Sequence, residues 1–131
     1  MKYLLDTNIC IYVINERPKQ VLARFKRHRV GDIGISSITV SELAYGIAKS
    51  GSLRNREALQ AFMLPLQIVD FDVDAAMTYG DIRADLETRG QPIGPLDFLI
   101  AAHAIALGAT LVTNNEKEFK RVAGLRIENW V

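Results

Sequence analysis

Cysteine is almost missing from this chain of 131 residues: Cys10 is the single one. A lone thiol excludes a disulfide framework and any cysteine-based zinc site. Histidine is nearly as scarce, with two residues, His28 and His103. Charge of one sign is missing too. Sixteen Lys and Arg against fifteen Asp and Glu leave +1, so net charge alone points to no polyanionic partner. No apolar run is long. The N-terminal MKYLLDTNICIYVI is interrupted by Asp6 and Asn8, and its run Ile9–Ile14 is far short of the ~20 residues that span a bilayer. No A-x-A site follows it, which predicts a soluble, cytoplasmic protein. Internal repeats, low-complexity tracts and linkers are also absent.

Apolar residues make up 49% and charged residues 24%, which excludes a disordered or collagen-like chain. Against the ~150-residue prior for a domain, we expect one unit, residues 1–131. At that size roughly two thirds of the surface can be buried, so no staple is needed.

Short apolar runs alternate with helical patterns. Lys2–Asp6, Ile33–Ser36, Gln67–Phe71 and Thr110–Thr113 read as strands, with Leu125–Ile127 a fifth at an edge. Between them we expect helices over Asn8–Asn15, from Pro18 with Val21, Leu22 and Phe25 on one face, and from Thr39 with Leu43, Ala44 and Ile47. Others follow near Leu53–Leu64, over Asp74–Arg89 with Ala75, Ala76, Tyr79, Ile82, Arg83 and Leu86 as the stripe, and near Asn115–Arg121. Gly90, Pro92, Gly94 and Pro95 make a stiff loop. Leu96–Leu107 is apolar nearly all round and reads as a buried helix, capped by Gly108. This alternation predicts an α/β chain: three layers, α/β/α, around a parallel sheet of four to five strands. Ligands of such sheets bind beyond the carboxyl ends of the strands.

The acids fall at those ends. Asp6 closes the first strand, Glu42 lies in the first turn after the second, Asp97 opens the buried helix, and Glu118 follows the fourth strand beside Asn115. Each has an ordinary structural role open to it. Asp6 could cap a helix. Thr39-x-x-Glu42 fits a capping box, and on that motif alone capping is the better reading. Asp97 complements a helix dipole, and Glu118 by itself is a surface acid. Together, however, carboxylates repel unless a cation neutralises them. Oxygen-rich surroundings without thiolate and with little histidine suit Mg²⁺ or Mn²⁺ rather than zinc. His103 reads as a core or interface histidine, His28 as facing solvent, and Cys10 as a small core residue.

Five stretches, in order, resemble the PIN-domain ribonucleases, and closely the VapC toxins of VapBC toxin–antitoxin pairs. They are Leu4-Leu5-Asp6-Thr7-Asn8, Ile38-Thr39-Val40-Ser41-Glu42-Leu43-Ala44-Tyr45-Gly46, Ile93-Gly94-Pro95-Leu96-Asp97 with Leu99-Ile100-Ala101-Ala102-His103-Ala104, Leu111-Val112-Thr113-Asn114-Asn115 with Glu118-Phe119, and Gly124-Leu125-Arg126-Ile127-Glu128-Asn129-Trp130. The resemblance implies a Mg²⁺- or Mn²⁺-dependent endoribonuclease with Asp6, Glu42 and Asp97 as its acids. Asn115 stands where many members carry an aspartate, so Glu118 supplies the fourth charge and one ion is firmly held, by Asp6 and Asp97. Thr7, Asn8, Thr113 and Asn115 would orient the carboxylates. Expected partners are an RNA such as tRNA, a small VapB-like antitoxin and a second copy of the chain, in a homodimer or larger assembly.

Hydrolysis of an RNA phosphodiester would then need no Ser, Cys or His nucleophile, with Glu42 or Glu118 accepting the proton. RNA contact would come from charge placement. Six basic residues and no acid lie between Arg17 and Gly31, and Arg24, Lys26 and Arg27 are the candidates there, though a solvated helix face explains each one singly. Lys117, Lys120 and Arg121 form a second cluster beside Glu118. Three rival readings share parts of the pattern. An aspartyl-phosphate phosphatase or receiver domain also ends its first strand on an acid, but the phosphatase wants a second aspartate where Asn8 stands. A dinucleotide-binding fold needs the G-x-G-x-x-G missing after the first strand. A catalytically silent PIN-like binding module predicts neither metal nor cleavage.

Overall fold

The computed structural model describes residues 1–29 and 31–131. Among these, five strands form one parallel sheet in the order β3-β2-β1-β4-β5. The elements run β1 (Tyr3–Leu5), α1 (Thr7–Ile14), α2 (Lys19–Lys26), β2 (Ile33–Ser36), α3 (Ser37–Ser50), α4 (Leu53–Met63), β3 (Gln67–Val69), α5 (Val73–Thr88), α6 (Pro95–Leu107), β4 (Thr110–Val112), α7 (Glu116–Phe119) and β5 (Ile127–Glu128).

Alternation along the strands divides the core in two. Leu4 and Leu111 face the layer of α5, α6 and α7, where they meet Ile82, Leu86, Phe98, Ile100 and Phe119. Leu5, Ile33, Ile35 and Val112 face the layer of α1 to α4, against Ile9, Val13, Val21, Leu43 and Leu59. Each fully buried side chain of this kind stabilises the fold by roughly 1.5–3 kcal/mol. The chain winds outward from β1 to β3 on one side, then crosses to β4 and β5 on the other. The order therefore reverses between β1 and β4, which opens a crevice at their carboxyl ends.

The second strand has the bounds its apolar run suggests, whereas the first, third and fourth are shorter. Asp6 leaves β1 to cap α1, accepting from the Ile9 N–H at 2.9 Å. Ser36 closes β2 and accepts from the Ile38 N–H at 3.0 Å, so α3 starts at Ser37 and not at Thr39. β3 ends at Val69, before Phe71, and β5 is Ile127–Glu128 rather than Leu125–Ile127. Gly108, at φ 66°, ends α6 in the left-handed conformation that favours glycine.

Burial corrects several helix faces. Ala44, Ala76 and Arg83 are exposed. On α6 only Phe98 and Ile100–Ala104 are buried, while Leu96 and Leu107 reach solvent at its ends. His28 does not face solvent freely: its ring stacks on Trp130 at 5.2 Å and lies 4.6 Å from Tyr3. No helix among the described residues is long and apolar enough to cross a membrane.

Candidate active site

Four acids gather at the carboxyl edge of the sheet, around the crevice between β1 and β4. Asp6 is the most deeply set, 8% exposed. Its Oδ1 accepts from Ile9 N–H, and its Oδ2 accepts from the Thr113 hydroxyl at 2.5 Å. Thr113 Oγ1 in turn accepts from the Asn115 N–H at 2.9 Å. Capping and site membership thus coincide in Asp6. Burial pushes its carboxyl up, and the charge of Glu42 adds to this, while the bonds from Thr113 and Ile9 oppose it.

Glu42 lies in the second turn of α3, one turn later than expected. The capping box does not form. Ser36 caps the helix, Thr39 Oγ1 is buried without a partner among the described residues, and Glu42 Oε1 instead accepts from the Thr7 hydroxyl at 2.6 Å. The Glu42 carboxylate is therefore aimed across at α1 rather than back onto its own helix.

Asp97 stands in the first turn of α6, half-buried. Burial, a hydrogen bond with Glu118 and the charges of Glu118, Asp6 and Glu42 push its carboxyl up to about 7. Glu118 moves the opposite way. It is held below its usual range chiefly by the bond from Asp97, and also by the Asn115 amide, Arg121 and the Gly94 main chain. The Asn115 Nδ2 donates to Glu118 Oε2 at 2.8 Å. Asp97 and Glu118 thus shift in opposite directions, the expected response of two crowded carboxylates, with the proton favoured on Asp97. Among the described residues no group of three His, Cys, Asp or Glu is arranged as it stands to hold a metal ion.

A PIN domain family model matches residues 3–125. The chain belongs to the PIN domain family. Within it, the tRNA(fMet)-specific endonuclease VapC of Shigella flexneri is 45% identical over 131 residues, covering 99% of this chain and 98% of that protein. Ribonuclease VapC2 of Haemophilus influenzae is 48% identical over 132 residues, covering 100% and 99%. Among solved structures, DNA-bound VapBC from Salmonella typhimurium superposes with a TM-score of 0.92 at 43% identity, covering 100% of this chain and 99% of that one. VapBC2 of Rickettsia felis, bound to a promoter DNA fragment, gives 0.89 at 44%, with both chains fully covered.

In this PIN domain the remaining candidates separate. Thr7, Thr113 and Asn115 all bond to an acid directly. Asn8 does not: its side chain is exposed and makes no hydrogen bond among the described residues, and only its main chain reaches Asp6. Arg24 is committed elsewhere. It pairs with Glu128 and lies over the Trp130 ring, 5.6 Å from its centre. Lys26 and Arg27 end α2, where the chain leads into the first residue of β2. Lys26 lines a depression there with Ile33, Pro65 and Leu66. That is the amino edge of the sheet, opposite the acids. Lys117 and Lys120, exposed on and just after α7, flank Glu118.

Gly94 was not legible as a site residue. A Cβ there would stand 3.1 Å from Asp97 Oδ2, and its main chain helps keep Glu118 ionised. The one available signal was a glycine directly before the Pro95 that opens an acid-bearing helix. Arg121, which donates to the Pro92 carbonyl at 2.9 Å, ties the same loop to α7. Cys10 is fully buried, and burial with the nearby Asp6 charge raises its thiol well above the ordinary range, so it is inert.

Proposed function

We propose that residues 1–131 form one functional unit, an endoribonuclease toxin that hydrolyses RNA phosphodiester bonds with Mg²⁺ or Mn²⁺ and is inhibited by a small VapB-like antitoxin. One observation carries the reading: the Asp97 carboxyl, raised to about 7, faces three further acids at the crevice where the strand order reverses. The donor set is all oxygen, and its crowded negative charge is what a hard divalent ion relieves, so the residues fit such an ion. Asp6 and Asp97 would hold it, with Glu118 completing the charge. When bound, the ion supplies a nucleophilic water and stabilises charge developing on phosphate.

The chain's own groups do the rest. Thr113 and Thr7 fix Asp6 and Glu42 by direct hydroxyl bonds. Glu42 Oε2, the oxygen that Thr7 leaves free, accepts the proton of the attacking water. Asp97 would give up its proton on binding a cation, while Glu118 is already ionised. Lys117 and Lys120 contact the RNA backbone beside the cut, in preference to Lys26 and Arg27.

The curated relatives named as tRNA(fMet)-specific endonucleases favour a tRNA substrate. The VapBC complexes favour an antitoxin partner in a dimeric or larger assembly. An apolar depression of about 210 Å³ lined by Ile11, Ile14, Leu43, Ile47 and Leu59, with Glu42 at its rim, offers an antitoxin segment a seat beside the acids. A cytoplasmic location follows from such substrates. The deciding experiment is cleavage of initiator tRNA by purified protein. Activity should vanish in EDTA, return with Mg²⁺ or Mn²⁺, and be missing in Asp97→Asn; full cleavage in chelator overturns the reading.

A further inference from the structure

His103 has no part in the chemistry above, yet it is 1% exposed and polar. It sits on α6 six residues beyond Asp97. Its Nδ1 lies 2.8 Å from Ser36 Oγ, and that bond is buried. Ser36 is the cap of α3, six residues before Glu42, and its Oγ already accepts from the Ile38 N–H. Ser36 is fully buried, so its own hydroxyl hydrogen must find an acceptor, and the ring nitrogen is the one within reach. Nδ1 is therefore the acceptor and Nε2 carries the hydrogen. Among the described residues Nε2 has no hydrogen-bond partner of good geometry, although the Asp70 main chain lies near the ring. Phe71 meets the ring edge-on at 5.3 Å. An apolar side chain would spare the Nε2 donor but leave the buried Ser36 hydroxyl hydrogen without an acceptor, so it is this bond and not packing alone that explains a histidine here.

The bond crosses between layers. α6 packs in one layer with α5, and α3 extends from the end of β2 into the other. The Asp97 carboxyl feels the Glu42 charge, so the spacing of α3 and α6 at this end decides how those two acids face each other. We propose that His103 is a positioning residue: by accepting the Ser36 hydroxyl it latches α3 to α6 and sets the separation of Glu42 and Asp97. Burial lowers the basicity of the ring, which keeps the latch in its neutral, accepting form. The inference rests on the ribonuclease reading for its kinetic consequence, but its geometric content is independent of it.

The test uses the full chain, freed of antitoxin, with Mn²⁺ alone as the metal probe and transcribed initiator tRNA as the substrate. In metal-free wild type, ¹⁵N spectra of the imidazole should show Nδ1 unprotonated; a protonated Nδ1 overturns the latch outright. His103→Leu removes the acceptor at similar volume. It should lower kcat at least tenfold with KM within twofold, weaken Mn²⁺ binding at least fivefold, and shift the Glu42 and Asp97 amide resonances of metal-free protein. His103→Asn, which can offer an oxygen where Nδ1 stood, should recover kcat to within threefold of wild type. Leu at wild-type kcat and Mn²⁺ affinity, or Asn as impaired as Leu, refutes positioning. If Leu does not fold, the ring spectrum and the Asn variant still decide. If wild type fails to cleave, or Asp97→Asn cleaves equally, the ribonuclease reading falls instead, while the spectra and Mn²⁺ titrations still judge the latch.

Discussion

The two sides of the acid crevice are built on different principles. On the β1–β4 side, Asp6 is buried, and both of its oxygens accept hydrogen bonds from the fold itself. On the α6–α7 side, Asp97 and Glu118 crowd each other, with the proton favoured on Asp97 and Glu118 held by Gly94 and Asn115. The first side is complete once the chain has folded. The second is the side that the proposed cation would complete. One carboxylate is positioned by structure and the other is kept in tension by its neighbours, so removing the charge should have opposite effects on stability at the two.

Activity should not distinguish them. Asp6→Asn and Asp97→Asn should each lower RNA cleavage by at least about a hundredfold, more than the loss of a residue that only orients a ligand, as read by gel assay of tRNA. A variant within tenfold of wild type would remove that acid from the mechanism. Next in size, Thr113→Val should weaken Mn²⁺ binding about 10–100-fold, because it frees Asp6 to turn. The equivalent change on the other side, Asn115→Ala, should cost less, since Gly94 and Arg121 still hold Glu118. Equal losses measured by titration would erase the contrast.

The pH response sharpens it further. Asp97 in the folded state binds its proton up to about 7, whereas an unfolded chain releases it near 3.8. Between those values the folded state holds more protons, so the Asp97 contribution to metal-free stability falls as pH rises. Glu118, shifted downward, offsets part of it. Thermal melts in EDTA should therefore lose stability from pH 4 to 7, and Asp97→Asn should flatten that loss. Mn²⁺ affinity should climb with pH up to about 7 and then level off, as the ion displaces the Asp97 proton. In metal-free protein, Asp6→Ala should destabilise by about 1 kcal/mol through the lost cap, while Asp97→Asn should stabilise. The smallest effect concerns RNA contact. Lys117→Glu with Lys120→Glu should reduce affinity and the salt slope by about 0.7 per lost contact, and Lys26→Glu with Arg27→Glu should change neither.

The strand–helix alternation, the parallel sheet and the convergence of Asp6, Glu42, Asp97 and Glu118 were legible because strand ends and helix starts are marked by local chemistry. Other features depend on pairings that no short window contains. The Thr39-x-x-Glu42 spacing satisfies a capping rule, yet Ser36 three residues earlier takes the cap and releases Glu42 to Thr7. His28 and Arg24 look solvated within a basic run, but Trp130, a hundred positions on, claims both. The run of cations ending α2 cannot be assigned to an edge of the sheet until the path from α2 into β2 is known. Gly94 matters through what a Cβ would strike, which sequence spacing does not encode.

The bond between Thr113 and Asp6 joins positions 107 apart along the chain. β1 is made first yet sits mid-sheet, and its contact with β4 is among the most distant in the molecule. Such closures are slow and come late in folding. The reactive centre therefore has no partial version: a chain halted midway has neither side of the crevice assembled. For a protein read as harmful to the cell that makes it, late assembly separates synthesis from toxicity.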